Sequence, residues 1–345
     1  MPPSRTGWRA RGKKAAIEAQ DEYLDRVLAR FSGYIAADEL YDGPFCVLSI
    51  VDNHTFERLI YEVLPAGESP TAERIEAFFR RFKEALDARG LTLRGITTDG
   101  SPLYPEPIAA VFGAVDHQIC EFHILQDIIK AVLHAVAAVR KGLLASRPAL
   151  GRGRPSGEKR RIARQRKRLT QRSSELFRHR HLFVQRQLTD SERWKLKHIA
   201  RGQKDLQTLR EIMDEVYRLF DRRCRMETAL RKLAKLRTRV ARFKTLGRIL
   251  KKLSHPNLEK ALTFLDDRLL PPTSNAVERS NRRHRKMQKS IYCVRTQEHL
   301  VGRIMLDMLR DARARARLNA SRLLHSTRNQ LRAESALSRR RGKAA

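Results

Sequence analysis

Acidic residues are scarce in this sequence, and their scarcity excludes several ordinary classes of protein. The 345 residues include 72 Lys and Arg but only 38 Asp and Glu, a formal net charge of +34. Such an excess of one sign repels itself and destabilises a compact chain unless a polyanion neutralises it. An enzyme for small neutral substrates does not need this charge. Nucleic acid does account for it, because its phosphates release counterions when basic side chains bind them.

Cysteines are also few and are widely separated. Cys46, Cys120, Cys224 and Cys293 form no C-x-x-C pair. This spacing argues against a zinc ribbon or zinc knuckle. We expect buried thiols in a reducing compartment.

Long hydrophobic runs are missing as well. No uninterrupted stretch of about 18 apolar residues occurs, and the first residues lack a signal-peptide pattern. We therefore expect no membrane partner and a cytoplasmic location.

Short apolar runs between turn residues predict strands in the first third of the chain. A helix of strong amphipathic quality interrupts them at 69–90, with Thr71 at its N-cap and Gly90 at its end. Its apolar positions at helical spacing are Ile75, Phe78, Phe79, Phe82 and Leu86. A second, short helix is expected at 104–113. The predicted strands lie at 33–40, 43–53, 55–64, 93–100 and 116–123, an order typical of a mixed sheet with helices packed on it.

Helical periodicity replaces the strand pattern from 124 to about 265. The segment 146–172 is rich in Arg and Lys with Gly and Pro, and reads as a basic linker or the exposed start of a helix. Trp194 is expected to pack at a helix junction. Helical periodicity returns at 276–318.

Three acidic residues have positions that suggest chemistry. Asp38 and Asp99 end apolar runs, and Glu278 opens a late helix among six Lys and Arg residues in 271–290. Each has an ordinary reading: a strand-end surface acid, a turn residue, or a capping box formed with Asn275. Strands one and four can lie side by side in such a sheet. The three acids together therefore also predict a cluster.

A cluster of three carboxylates is unfavourable without a cation, because the groups repel one another and raise one another's pKa. Mg²⁺ prefers oxygen ligands and completes its shell with water and phosphate. Two such ions can serve an in-line displacement at phosphorus. The cluster is therefore a hypothesis for a metal site that acts on nucleic acid.

The motifs "YIAADELYDG", "ITTDGSPLYPEPI", "CEFH" and "TSNAVERSNRRHR" together resemble those of the DDE transposases of bacterial insertion sequences. The resemblance covers about 33–311. It implies an α/β fold with a ribonuclease-H-like core, that is, a mixed five-stranded sheet with flanking helices, interrupted by a large all-α insertion. Cys120 and His123 match the Cys/Asp-x-x-His motif of the subgroup with this insertion.

The resemblance also implies roles for individual residues. Asp38, Asp99 and Glu278 would be the catalytic, metal-binding triad for two Mg²⁺ ions, for which Mn²⁺ can substitute. Asp52 is a rival for the first position, because it too ends an apolar run. His123 would lie near the scissile phosphate, or it is a core-edge histidine on a strand. Residues expected to contact DNA are His123, Asn281, Arg282, Arg283 and Arg285, although the arginines could equally form a solvated basic face.

The predicted organisation has five segments. They are a basic arm and helix (1–32), the first part of the catalytic domain (33–124), a basic all-helical insertion (125–265), the last part of the catalytic domain with Glu278 (266–315), and a basic tail (316–345). Only about 32 residues precede the first strand, fewer than a helix-turn-helix module needs. Two interpretations follow: the chain is a truncated copy or a start-site variant, or the basic insertion and the arm recognise the element ends.

The leading hypothesis is a DNA transposase that cleaves at transposon ends and transfers the strands into target DNA. Its partners would be double-stranded DNA, as terminal repeats and as target, and further copies of itself in a homodimer or larger synaptic complex. It would associate with the nucleoid. The alternatives are a metal-dependent, structure-selective nuclease of the same fold and a non-catalytic DNA-binding remnant of a transposase.

Overall fold

The computed structural model of the protein describes residues 21–154, 156–243, 246–289 and 296–313. The predictions for the tail at 316–345, for most of the basic arm, and for Cys293 lie outside the described residues.

Five strands form one mixed sheet in the order β3-β2-β1-β4-β5. This arrangement, with flanking helices and a long helical insertion, confirms the predicted α/β, ribonuclease-H-like fold class. The strands are β1 (Tyr34–Asp42), β2 (Phe45–Asp52), β3 (Arg58–Val63), β4 (Gly95–Thr98) and β5 (Asp116–Ile119).

The described residues divide into two compact units. The first comprises 21–93, 106–113 and the chain from 275 onward, and the second comprises 94–105 and 114–274. The boundaries of the five predicted segments remain predictions.

The first unit is built on the antiparallel strands β1, β2 and β3. Asp38 pairs with Ser49 in the β1–β2 register, and Ser49 pairs with Tyr61 in the β2–β3 register. All eight residues of β2 are buried, as expected of a central strand covered on both faces. The helices of this unit are α1 (Ala72–Asp87), α2 (Pro105–Phe112), α10 (Asn275–Met287) and α11 (Gln297–Arg313), and residues 21–28 are also helical.

Helix α1 forms as its sequence predicts. The side chain of Thr71 accepts a hydrogen bond from the Arg74 N–H at 3.3 Å and caps the first turn. Its buried residues are the five predicted apolar ones. Phe79 and Phe82 lie 5.6 and 6.5 Å from Phe112 of α2, measured between ring centroids, so aromatic contacts join the two helices.

The second unit contains the parallel strands β4 and β5 and the helical insertion. The predicted basic linker is mostly helix: α4 begins at Gly157, where the Ser156 side chain caps its first turn by accepting from the Lys159 N–H. The helices of this unit are α3 (Glu121–Ala145), α4 (Gly157–Arg178), α5 (Asp190–Ala200), α6 (Lys204–Leu219), α7 (Met226–Ala241), α8 (Gly247–Leu253) and α9 (Pro256–Lys260).

Helix α3 is the one described helix that is long and apolar enough to cross a membrane by length and composition alone. A core helix of a helical domain meets the same criterion, so this is weak evidence for a membrane span. Here α3 packs against α4, α6 and α8, and its buried residues include Ile128, Val132 and Val136.

Two sequence predictions in the second unit are wrong. The fifth strand ends at Ile119, and the residues from Glu121 onward belong to α3. Trp194 does not pack at a helix junction: it is 69% exposed and stacks on His198 one turn away. The first error arises because a short apolar run fits a strand and a helix equally well. The second arises because a single aromatic residue does not distinguish a core position from a surface position.

Candidate active site

Asp38 lies in the middle of β1, not at the end of the strand. It is half-buried, and Ala36, two residues earlier on the same face, packs against Ala276 and Val277 of α10. The side-chain amide of Asn281 donates from Nδ2 to Oδ2 of Asp38 at 2.8 Å. Helix α10 therefore covers the face of β1 that carries Asp38 and fixes the orientation of its carboxylate.

Further contacts hold α10 along β1. His284, near the end of the helix, lies 3.0 Å from Asp42 at the end of the strand, measured from Nε2 to Oδ2. Arg58 of β3 donates from Nη2 to the Ser280 hydroxyl at 2.7 Å. Burial lowers the pKa of His284 against the opposing influence of Asp42, so the imidazole is neutral at pH 7 and the pair is a hydrogen bond. Sequence reasoning missed both contacts, since neither pair has a local spacing signal.

Glu278 lies in the first turn of α10 and is half-buried. The helix begins at Asn275, so the residue before its first turn is Ser274. The predicted capping box placed the cap at Asn275, one residue later in the chain. Glu278 is three positions before Asn281, and residues three apart are neighbours on a helix surface. It is therefore on the same side of α10 as the amide that holds Asp38.

Asn281 has a second unusual property. It is only 4% exposed, and its Oδ1 is buried without a hydrogen-bond partner among the described residues. Leaving such an acceptor unsatisfied costs about 1–3 kcal/mol. This burial does not suit the predicted contact with a DNA backbone, and it favours a role beside Asp38.

The three arginines of α10 differ from one another. Arg283 forms an ion pair with Asp311 of α11, so its charge is partly committed inside the first unit. Arg282 and Arg285 are exposed, and no ion pair joins either to a carboxylate in the part of the chain that the structure describes. These two are the better candidates for contact with phosphate.

Asp52, the rival of Asp38, is fully buried and committed to a turn. Its Oδ1 accepts from the backbone N–H groups of His54 and Thr55, and its Oδ2 accepts from that of Ser32, each at 2.8 Å. Both carboxylate oxygens of Asp52 therefore already accept backbone hydrogen bonds within the first unit. Asp38 is the more available metal ligand of the two.

Asp99 belongs to the second unit and follows β4 directly. Its Oδ1 accepts from the Ser101 N–H at 2.8 Å and closes a tight turn. Gly100 has φ +97°, and a Cβ there would lie 2.9 Å from a side-chain carbon of Ile119. The Gly100 carbonyl accepts from the Asn257 side chain at 2.9 Å. This turn fixes the backbone on which Asp99 sits.

Cys120 and His123 are at the start of α3 in the same unit. Cys120 is buried and accepts at Sγ from the Ser274 N–H at 3.4 Å. Burial by itself raises the pKa of the Cys120 thiol, but hydrogen bonds from His123 and Ser274 outweigh it and lower the pKa. The strand position considered for His123 is wrong, since the residue lies in the first turn of α3.

The predicted site residues are thus distributed over both units. The first unit brings Asp38, Asn281 and α10 with Glu278 together, and the second holds Asp99, Cys120 and His123. Cys46 and Cys224 are buried and free, as predicted.

Comparison with known protein families shows a transposase family. The family model of the ISL3-type DDE transposases, described as Transposase, matches residues 45–304. The matched region includes Asp99, His123 and Glu278 and begins after Asp38. No curated protein matches the chain.

Proposed function

The chain belongs to the ISL3 transposase family, and from this premise we propose that it cleaves DNA at the ends of a mobile element and joins those ends to target DNA. The family itself establishes a nucleotidyl-transfer enzyme that acts on DNA. The particular reaction and its residues are our proposal. The observation that carries it is the Asn281–Asp38 hydrogen bond, which orients one acidic residue of a predicted triad from the helix that bears another.

The donor atoms suit a hard divalent cation. Asp38, Asp99 and Glu278 would supply carboxylate oxygens, the ligands that Mg²⁺ and Mn²⁺ prefer. Asn281 adds an unsatisfied buried oxygen next to Asp38. The motif resemblance to the DDE transposases groups Asp38 with Asp99 and Glu278, and the chain belongs to a transposase family. Two divalent ions in such a site would lower the pKa of an attacking hydroxyl and neutralise charge on the phosphate.

The proposed reaction has two steps, hydrolysis at the element end and transfer of the freed end to target DNA. The second step conserves the number of phosphodiester bonds. In the first, a water oxygen forms a bond to phosphorus at the element end, and the bond from phosphorus to the 3′ oxygen breaks. The freed 3′-hydroxyl then attacks a target phosphate, which forms one phosphodiester bond and releases one target 3′-hydroxyl. No nucleotide cofactor is required, because one bond of the same type replaces another.

Four further residues would orient the metal ligands or contact the DNA. Asn281 keeps Asp38 in one orientation through the hydrogen bond that its side-chain amide donates to Oδ2 of Asp38. Arg282 and Arg285 would contact phosphates beside the cleaved one with their exposed guanidinium groups. His123, in the first turn of α3 and next to the Cys120 thiol, would contact the scissile phosphate or its neighbour.

A joining assay tests this function against its alternatives. The full chain would be incubated with Mg²⁺, a supercoiled plasmid, and duplexes that end in the terminal sequence of the element with a free 3′-hydroxyl. A transposase yields duplexes covalently joined to the plasmid. A parallel reaction uses a duplex in which flanking DNA follows the terminal sequence, and cleavage of this duplex without any joined product would identify a nuclease. Salt-sensitive binding with neither product would identify a DNA-binding remnant.

A further inference from the structure

An open apolar groove lies in the second unit, between helices α3 and α4. Its volume is about 290 Å³, and its floor includes Leu133 and Ala137 of α3 together with Leu176 and Phe177 of α4. Arg140 and Arg180 stand at its edge. None of these residues belongs to the proposed metal site.

The exposure of the Phe177 side chain is not explained by packing within the second unit. It is 51% exposed, although leaving a large aromatic ring in water is unfavourable. The guanidinium carbons of Arg140 and Arg180 lie 4.8 and 4.4 Å from its ring centroid, within cation–π distance. The ring and the two cations therefore form one prearranged surface.

The two arginines of the groove carry uncompensated charge, whereas Lys130, which also lines it, lies 3.9 Å from Asp127. Arg180 donates only to the Phe177 carbonyl, and neither it nor Arg140 forms an ion pair within the described ranges. Exposed cationic side chains also continue along α4, likewise without carboxylate partners in that part of the chain. They are Arg160, Arg161, Arg164, Lys167 and Arg168.

An apolar, aromatic groove with a cationic edge fits a ligand that combines a flat apolar face with an anionic backbone. An unpaired nucleobase in single-stranded DNA has both properties, because its ring face can stack while the adjoining phosphates meet arginines. A base inside a duplex has its faces covered by its neighbours and offers only its edges. The groove is therefore suited to single strands, not to intact duplex.

We propose that the groove around Phe177 binds an unpaired base of the DNA substrate, with Arg140 and Arg180 contacting the adjoining phosphates. This inference rests on the proposed action on DNA, but it does not depend on the metal site. It gives the insertion a means to hold a strand that is unpaired at an element end.

The test compares single-stranded oligonucleotides that carry a base at every position with oligonucleotides of equal length and charge made of abasic units. Affinity is measured by fluorescence anisotropy in EDTA, so that catalysis plays no part. We expect the full chain to bind the base-bearing strand about 10-fold more tightly, the effect of stacking one base. Phe177→Ala should remove this preference, and Phe177→Tyr should retain it.

Two further variants distinguish binding in the groove from a general effect of losing an exposed aromatic side chain. Ala137→Trp fills the groove without creating a cavity and should also abolish the preference. Trp194→Ala removes a still more exposed aromatic residue of the same unit outside the groove, and it should keep the preference. Thermal unfolding of each variant verifies folding.

Equal affinity of the full chain for base-bearing and abasic strands would overturn the proposal. So would a preference that survives both Phe177→Ala and Ala137→Trp. Competition by an acidic amphipathic peptide, without any base preference, would assign the groove to a protein partner and overturn it too. An Asp99→Asn chain should keep the base preference, which separates failure here from failure of the catalytic proposal.

Discussion

Asn281 connects the acidic residues of the first unit at the scale of a single side chain. Its amide has one polar atom satisfied by Asp38 and the other buried without a partner among the described residues. A residue that only stabilised the fold would more often have both atoms satisfied. The Oδ1 atom of Asn281 therefore lacks a donor or a cation that would satisfy it. A cation bound beside Asp38 would supply that interaction.

The first prediction concerns Asn281→Ala. Removal of the donor frees Asp38 to rotate, and loss of such an outer-shell partner typically weakens metal binding about 10–100-fold. Isothermal titration with Mn²⁺ on the DNA-free protein measures this. Asn275→Ala is the matched control, because Asn275 is exposed on the same helix. Unchanged Mn²⁺ affinity in a folded Asn281→Ala chain would argue against the positioning role.

The second prediction concerns His117 of β5, which lies 2.9 Å from the Thr98 hydroxyl. Burial, assisted by Lys260, lowers the pKa of His117 from 6.5 to about 4. The unfolded chain therefore takes up this proton first as the pH falls. The contribution of His117 is complete above pH 6.5 and decreases towards pH 4, by up to about 3 kcal/mol in total.

Chemical unfolding at pH 7, 5.5 and 4.5 measures this dependence. His117→Asn should flatten the loss of stability between pH 6.5 and 4, whereas His198→Asn, at an exposed position, should not. Parallel curves for the wild-type and His117→Asn chains would show that the imidazole is not the titrating group.

At the scale of elements, the turn after β4 sets the position of Asp99. Gly100 combines a positive φ with a close approach to Ile119, so two separate costs oppose any side chain there. Gly43 also has a positive φ, but no atom lies within 4 Å of an added Cβ.

The third prediction follows from this pair of glycines. Gly43→Ala should lower the free energy of unfolding by about 1 kcal/mol, the cost of a left-handed conformation. Gly100→Ala adds a clash and should cost distinctly more, as measured by denaturant unfolding. Equal losses in the two variants would mean that the turn can relax away from Ile119.

Helix α10 gives the fourth prediction, because its arginines are not equivalent. Arg282→Ala and Arg285→Ala should each reduce the slope of log affinity against log salt by about 1, the effect of one lost phosphate contact. Arg283→Ala should change the slope less, since Arg283 is paired with Asp311. Duplex-binding titrations at several salt concentrations measure the slopes, and identical slopes for the three variants would contradict the distinction.

The sequence predicts elements well where a pattern is long or repeated. The five buried positions of α1 follow from helical spacing alone, and the short apolar runs between turn residues predict β1 to β3. Short patterns are less informative. The residues 120–123 fit a strand or a helix start, and only tertiary contacts decide between them. Asn281 was predicted to contact DNA because spacing says nothing about burial.

At the scale of the whole molecule, the net charge of +34 predicts an anionic partner but not the reaction. Any basic DNA-binding protein has the same electrostatic signature. The proposed chemistry depends on a few half-buried carboxylates, Asp38, Asp99 and Glu278, and on whether they bind metal. Tests at this scale must therefore separate loss of catalysis from loss of DNA binding.

The most direct test of the central claim is Mg²⁺-dependent cleavage of an element-end duplex by Asp38→Asn, Asp99→Asn and Glu278→Gln chains. Each should lose at least about 10³-fold in rate, because metal ligands supply several kcal/mol to the transition state. Duplex binding should persist. Asp116→Asn, at an exposed position in the same unit as Asp99, should cleave normally. Cleavage at the wild-type rate by any one of the three site variants would contradict the triad.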